Sequence, residues 1–139
     1  MKITVIGVGK IKEKYFTDAI KEYAKRLSRY CKLEIVEVAD EKTPDGASET
    51  LNAQIKEKEG MRILQKIPES AYVVALAIDG KMLDSEELAA QMERWNVGGI
   101  SQIVFMIGGS LGLAPAVLQR ADYKLSFSRM TFPHQLMQM

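Results

Sequence analysis

Two nearly unbroken apolar runs, Tyr72–Ile78 (Tyr-Val-Val-Ala-Leu-Ala-Ile) and Ile103–Ile107 (Ile-Val-Phe-Met-Ile), constrain this chain more than any other feature. Both are too short for a buried helix and end in glycine turns, so both read as strands. A strand that is apolar on both faces needs cover on both faces, which a parallel sheet receives from its crossover helices. Asp79-Gly80 closes the first run, and Gly108-Gly109-Ser110-Leu111-Gly112 follows the second.

The remaining segments fit that frame. Lys2–Val8 alternates as a strand, with Ile3, Val5 and Val8 assigned to one face. From Tyr15 the period changes: Phe16, Ile20, Tyr23 and Leu27 recur at helical spacing. Leu33–Val38 is a second strand, and Asp40–Ser48, which contains Thr43-Pro44-Asp45-Gly46, is a loop. A helix is expected from about Glu49 to Lys66, weakened by Gly60 and ended by Pro68. Asp84, three residues before Glu87, opens another helix that runs to Trp95 and stops at Gly98-Gly99. Pro115 opens a short helix to Arg120, Tyr123–Phe127 is a last strand, and a final helix begins at His134. Strands alternating with helices predict one α/β domain over residues 1–139, a mostly parallel sheet with helices on both faces.

Composition excludes several classes. No apolar run approaches the ~20 residues of a membrane span. The opening Met1-Lys2-Ile3-Thr4-Val5-Ile6 enters a strand without the pattern of a signal peptide, so a cytoplasmic protein is expected. Cys31 is the only cysteine and His134 the only histidine, which leaves no intrachain disulfide, cysteine cage or histidine cluster, and no metal is expected. The net charge of +1 is unevenly spread: residues 1–32 hold nine Lys or Arg against three Asp or Glu, and residues 33–60 hold three against eight. The basic stretch suits a phosphate-binding face and equally an ordinary solvated helix.

Candidate chemistry gathers at the turns. Gly7-Val8-Gly9-Lys10 is not a dinucleotide fingerprint, because Lys12 stands where the third glycine should fall and no helix opens at once. Gly108–Gly112 follows a buried strand directly, where ligands of open α/β sheets collect. It reads equally as a plain strand-to-helix connection. If both central strands are parallel, the Asp79-Gly80 turn and the Gly108 loop lie close together and border an apolar pocket suited to a flat heterocycle. His134 is a lone proton-transfer candidate, or simply a residue that begins a helix. Met130, Met137 and Met139 read as core or interface residues.

Three segments together carry a more specific signal: Val74–Lys81 (Val-Ala-Leu-Ala-Ile-Asp-Gly-Lys), Phe105–Gly112 (Phe-Met-Ile-Gly-Gly-Ser-Leu-Gly) and Lys124–Leu136 (Lys-Leu-Ser-Phe-Ser-Arg-Met-Thr-Phe-Pro-His-Gln-Leu). In that order and spacing, with Ile6-Gly7, Gly9-Lys10 and Glu13-Lys14-Tyr15 ahead of them, the chain resembles the ribosomal RNA large-subunit methyltransferase H family of the SPOUT class over essentially its whole length. The resemblance implies a SPOUT-type fold with a C-terminal trefoil knot, an exception to the rule that chains stay unthreaded. It implies a homodimer that uses S-adenosylmethionine to methylate N3 of a pseudouridine in a stem-loop of 23S ribosomal RNA on assembled 70S ribosomes. Carried over position by position, the cofactor site comprises Leu76, Gly108, Phe127, Ser128, Arg129, Met130, Thr131 and Phe132. Arg129 is expected beside the methionine carboxylate or the RNA, and Arg129 and His134 are the candidates for a catalytic role. Family members continue with an apolar helix and a short tail bearing Arg, Gly, Tyr and His, whereas this sequence stops at Met139, so it is expected to lack that helix and tail. Two other readings stand beside this one: a non-catalytic ribosome- or RNA-binding SPOUT protein, and a SPOUT methyltransferase acting on another RNA such as tRNA.

Overall fold

The two apolar runs lie side by side in the middle of a five-stranded sheet. The computed structural model describes residues 1–139. In chain order it contains β1 (Lys2–Val8), α1 (Lys14–Leu27), β2 (Lys32–Val38), α2 (Glu49–Gln65), β3 (Tyr72–Met82), α3 (Ser85–Val97), β4 (Gln102–Ile107), α4 (Pro115–Arg120), β5 (Tyr123–Ser126) and α5 (His134–Gln138). The strand order is β2-β1-β4-β3-β5, and every pairing is parallel. Val73, Val74, Ala75, Ile103, Val104 and Met106 are all fully buried, as a strand covered on both faces requires. No helix is long and apolar enough to cross a membrane.

Each face of the sheet has its own core. Ile6, Val8, Val73, Ala75, Val104 and Met106 pack with Ile63 of α2 and Ala114 and Val117 beside and within α4. On the other face Val74, Ile103 and Leu125 pack around Trp95 of α3. Val5 lies beside Phe105 in register, so α1, whose Ile20 and Tyr23 approach Val5, covers this second face as well. In β1 the expected grouping of Val8 with Ile3 and Val5 is corrected: alternation puts Val8 with Ile6 on the α2 face.

Local chemistry sets the helix ends. Ser48 Oγ accepts from Leu51 N–H at 3.1 Å, and Asp84 and Glu87 form a reciprocal capping box at 2.7 and 3.0 Å. Gly60 does not weaken α2 visibly. A Cβ there would stand 2.9 Å from Val117 Cγ2 and 3.0 Å from Ala114 Cβ, so the glycine lets α2 and α4 pack closely.

Two strand ends differ from expectation, and both matter for the site. β5 stops at Ser126, leaving Phe127 outside it. β3 does not end at Asp79-Gly80 but runs on to Met82, with a displacement in its pairing: Leu76 and Lys81 both pair with Leu125, so Ala77–Gly80 loop out between them. A Cβ on Gly80 would lie 2.7 Å from Lys124 C and 2.8 Å from Leu125 N, so only glycine fits against the β5 backbone. After β5 the chain crosses the strand ends to set α5 against β1, β4 and α1. Gly7 admits this approach, because the Gln138 side chain fills the space a Cβ would need.

Candidate functional site

The site forms where β3 and β4 part. Their pairing ends at Ala75 and Met106, whereas β1 follows β4 one residue further, to Ile107. Beyond that point a cavity of about 700 Å³ opens at the carboxyl ends of the strands. Leu76–Ile78 form one wall, Ile107–Leu113 the second, and Leu125–Ser128 with Met130–Gln135 and Met137 the third. This is where open α/β sheets collect ligands.

Glycines shape the second wall. Gly112 has φ +86°, its N–H donates to the Gly109 carbonyl at 3.0 Å, and Gly109 and Gly112 form an isolated antiparallel bridge. The loop therefore folds back on itself, and a Cβ on Gly108 would stand 2.5 Å from the Gly112 carbonyl carbon. The third wall is held by hydroxyls: Ser126 Oγ donates to the Ser128 carbonyl, and Ser128 Oγ accepts from Met130 N–H, both at 3.0 Å. Phe127, Met130 and Phe132 remain exposed around the opening.

Seven of the eight expected cofactor residues line this one cavity: Leu76, Gly108, Phe127, Ser128, Met130, Thr131 and Phe132. Arg129 is the exception. Its Nη1 donates to the Ile78 carbonyl at 3.0 Å, so the side chain turns back over the Ala77–Gly80 excursion and is absent from the cavity wall. His134, at the start of α5, lines the cavity and is the one titratable side chain to do so. Met137, read from sequence as core or interface, also lines it.

Sequence reasoning missed Glu59. It is only 5% exposed, its Oε2 accepts from Glu41 N–H at 3.0 Å, and its Oε1 lies 3.2 Å from where a Cβ of Gly109 would be, behind the glycine wall. Burial raises its carboxyl above the ordinary value of 4.5, opposed by the bond from Glu41. Ile55, Glu59 and Ile63 share one buried helix stripe, and a carboxylate inside an apolar stripe was the available signal.

A family model described as predicted SPOUT methyltransferase matches residues 1–139. The chain belongs to the SPOUT methyltransferase family. Within it, the chain is 66% identical over 137 residues to ribosomal RNA large subunit methyltransferase H of Bifidobacterium adolescentis, covering 99% of this chain and 86% of the relative. The protein of the same name from Bifidobacterium animalis subsp. lactis is 62% identical over 137 residues, with the same coverage. That from Clostridium beijerinckii is 60% identical over 136 residues, covering 98% of this chain and 86% of the relative. The glycine loop and, apart from Arg129, the 127–132 run of this SPOUT chain line one cavity at the sheet's carboxyl edge.

Proposed function

We propose that this SPOUT chain methylates N3 of a pseudouridine in a stem-loop of 23S ribosomal RNA on assembled ribosomes, with S-adenosylmethionine as methyl donor. The observation that carries the reading is the convergence of Leu76, Gly108 and five residues of the 127–132 run on one cavity. The names of its relatives, ribosomal RNA large subunit methyltransferase H, support the substrate class. Cytoplasmic location and a homodimer belong to the same reading. So does the trefoil knot.

The residues present fit the cofactor. About 700 Å³ lies within the range of pockets that enclose a drug-sized molecule. Apolar walls suit an adenine ring, and the folded glycine loop brings backbone donors and acceptors close to it. Leu76, Gly108 and the Gly109–Gly112 turn would hold the base, and the Ser128 and Thr131 hydroxyls would hold polar atoms of the amino-acid end. When bound, S-adenosylmethionine supplies an activated methyl group on a positively charged sulfur.

The protein's own part is alignment and proton removal. The three walls restrict the orientation of donor and acceptor, converting an encounter between two molecules into a positioned one. Phe127, Met130 and Phe132 rim the opening and exclude water once a base covers them. His134 lines the cavity wall, and in this reading its imidazole takes the imide proton from the target nitrogen.

Radiolabelled methyl transfer tests the reading. Label is expected in 23S RNA of 70S ribosomes and not in tRNA. Transfer to tRNA instead would make this an enzyme for another RNA, and cofactor binding without transfer to any RNA would make it a binding protein.

A further inference from the structure

Helix α1 presents two unlike sides. None of its residues is buried. Its inner side, with Ile20, Tyr23, Ala24 and Leu27, borders a small cleft closed by Val5, Leu33, Ile35 and the Gln138–Met139 end of α5. At 3.6 residues per turn Lys14, Lys21 and Lys25 fall on the opposite ridge, and all three are exposed. That ridge is about 16 Å long at 1.5 Å per residue. Asp18 is its only acid, and Glu22 on the flank is engaged by Arg26 at 3.1 Å. None of the three lysines has an ion-pair partner. Tyr15 and Tyr30, 69% and 81% exposed, stand at the two ends of the helix.

Two further observations give this ridge a direction. First, α5 separates it from the cavity: His134, Gln135 and Met137 line the cavity, while Gln138 and Met139 border the α1 cleft. The ridge and the cavity are therefore separated by the thickness of α5 and of α1 itself, roughly 20 Å. Second, α2, which covers the other face of the sheet, is charge-balanced: Glu49, Glu57 and the buried Glu59 stand against Lys56, Lys58 and Arg62. A polyanion is therefore attracted to the α1 ridge and gains no such attraction from α2.

We infer that the outer ridge of α1 docks the phosphate backbone of the RNA substrate, with Tyr15 and Tyr30 offering flat faces to unpaired bases. The inference rests on the RNA-methyltransferase reading and specifies which face the RNA crosses. Unpartnered lysines supply attraction independent of sequence, and exposed aromatic rings beside them suit looped-out bases. RNA held there would reach the cavity by passing over the flank of α1 and over α5.

The test compares two triple variants by fluorescence anisotropy with a labelled RNA hairpin and by kinetics on 70S ribosomes. One is Lys14→Ala/Lys21→Ala/Lys25→Ala. The other, Lys56→Ala/Lys58→Ala/Lys66→Ala, removes the same charge from α2 and its carboxyl end. The α1 variant is expected to bind the hairpin on the order of 10- to 100-fold more weakly, with its salt dependence reduced by about two to three units of log–log slope. Its KM for ribosomes should rise while its affinity for S-adenosylmethionine stays at the wild-type value, and the α2 variant should behave as wild type. Wild-type affinity in the α1 variant, or equal weakening in both variants, would overturn the inference. Circular dichroism checks folding. Should the α1 variant fail to fold, the milder Lys21→Gln/Lys25→Gln pair and the wild-type salt slope carry the comparison, and a flat slope overturns it. A wild-type protein that shows the contrast but transfers no methyl group would sink the methyltransferase reading alone and leave the docking face standing.

Discussion

Arg129 reaches across the mouth of the site to Ile78: its Nη1 donates to the Ile78 carbonyl at 3.0 Å. The bond ties the run after β5 to the segment that loops out of β3, so two walls of the cavity are fastened by a side chain that lines neither. This makes Arg129 a positioning residue. Arg129→Ala should weaken S-adenosylmethionine binding about five- to tenfold, the scale of one exposed charge-assisted hydrogen bond, with little change in Tm. Arg129→Lys should recover part of the loss in a calorimetric titration. A loss beyond a hundredfold would mean that the guanidinium meets the ligand itself.

Gly80 is the hinge of the same excursion. A Cβ would meet backbone atoms of Lys124 and Leu125 at 2.7 to 2.9 Å, and backbone cannot swing aside as a side chain can. Gly80→Ala should therefore destabilise the protein by about 3 kcal/mol or more, read as a drop in the urea midpoint. A midpoint equal to wild type would show that β3 and β5 pack differently there.

Glu59 makes stability depend on pH in a defined direction. Its folded-state carboxyl is raised above 4.5 by burial, so the folded protein binds the proton more tightly than the unfolded chain does. The corresponding stability is fully present below about pH 4.5 and is lost as pH rises through the raised value. Glu59→Gln keeps a carbonyl oxygen for Glu41 N–H and removes the titration. Thermal melts across this window should show the wild type losing Tm relative to Glu59→Gln as pH rises. Parallel curves would contradict the assignment. Glu59→Ala should be destabilising by about 1–3 kcal/mol, since the Glu41 N–H loses its acceptor.

His134 tests the proton-transfer step. His134→Gln should keep cofactor affinity within a few-fold and lower kcat on the order of 100-fold. If kcat hardly moves, the imide proton leaves by another route and His134 serves to start α5.

Much of the sheet was legible in the sequence because Val73–Ile78 and Ile103–Ile107 have no polar side chain to turn toward water. A strand apolar on both faces leaves few arrangements open, and the glycine loop after the second run marked the edge at which the cavity opens. The excursion at Ala77–Gly80 was not legible. Asp79-Gly80 looks like any turn, and only the pairing with Leu125 reveals that β3 resumes after it. The direction of Arg129 was not legible for a related reason: it depends on the Ile78 carbonyl, which that excursion exposes. Gly60 was read as a weak point because propensity is local, whereas its use is close contact with Ala114 and Val117, more than fifty residues away.

The most direct measurement is a calorimetric titration of S-adenosylmethionine into the wild type and into Gly108→Val, with folding of both checked by circular dichroism. A Cβ at that position would stand 2.5 Å from the Gly112 carbonyl carbon, so the variant must open the glycine wall. Saturable binding to the wild type and none to a folded Gly108→Val is the predicted result. Equal affinity in both proteins, or no binding by the wild type, would show that this cavity does not hold the methyl donor.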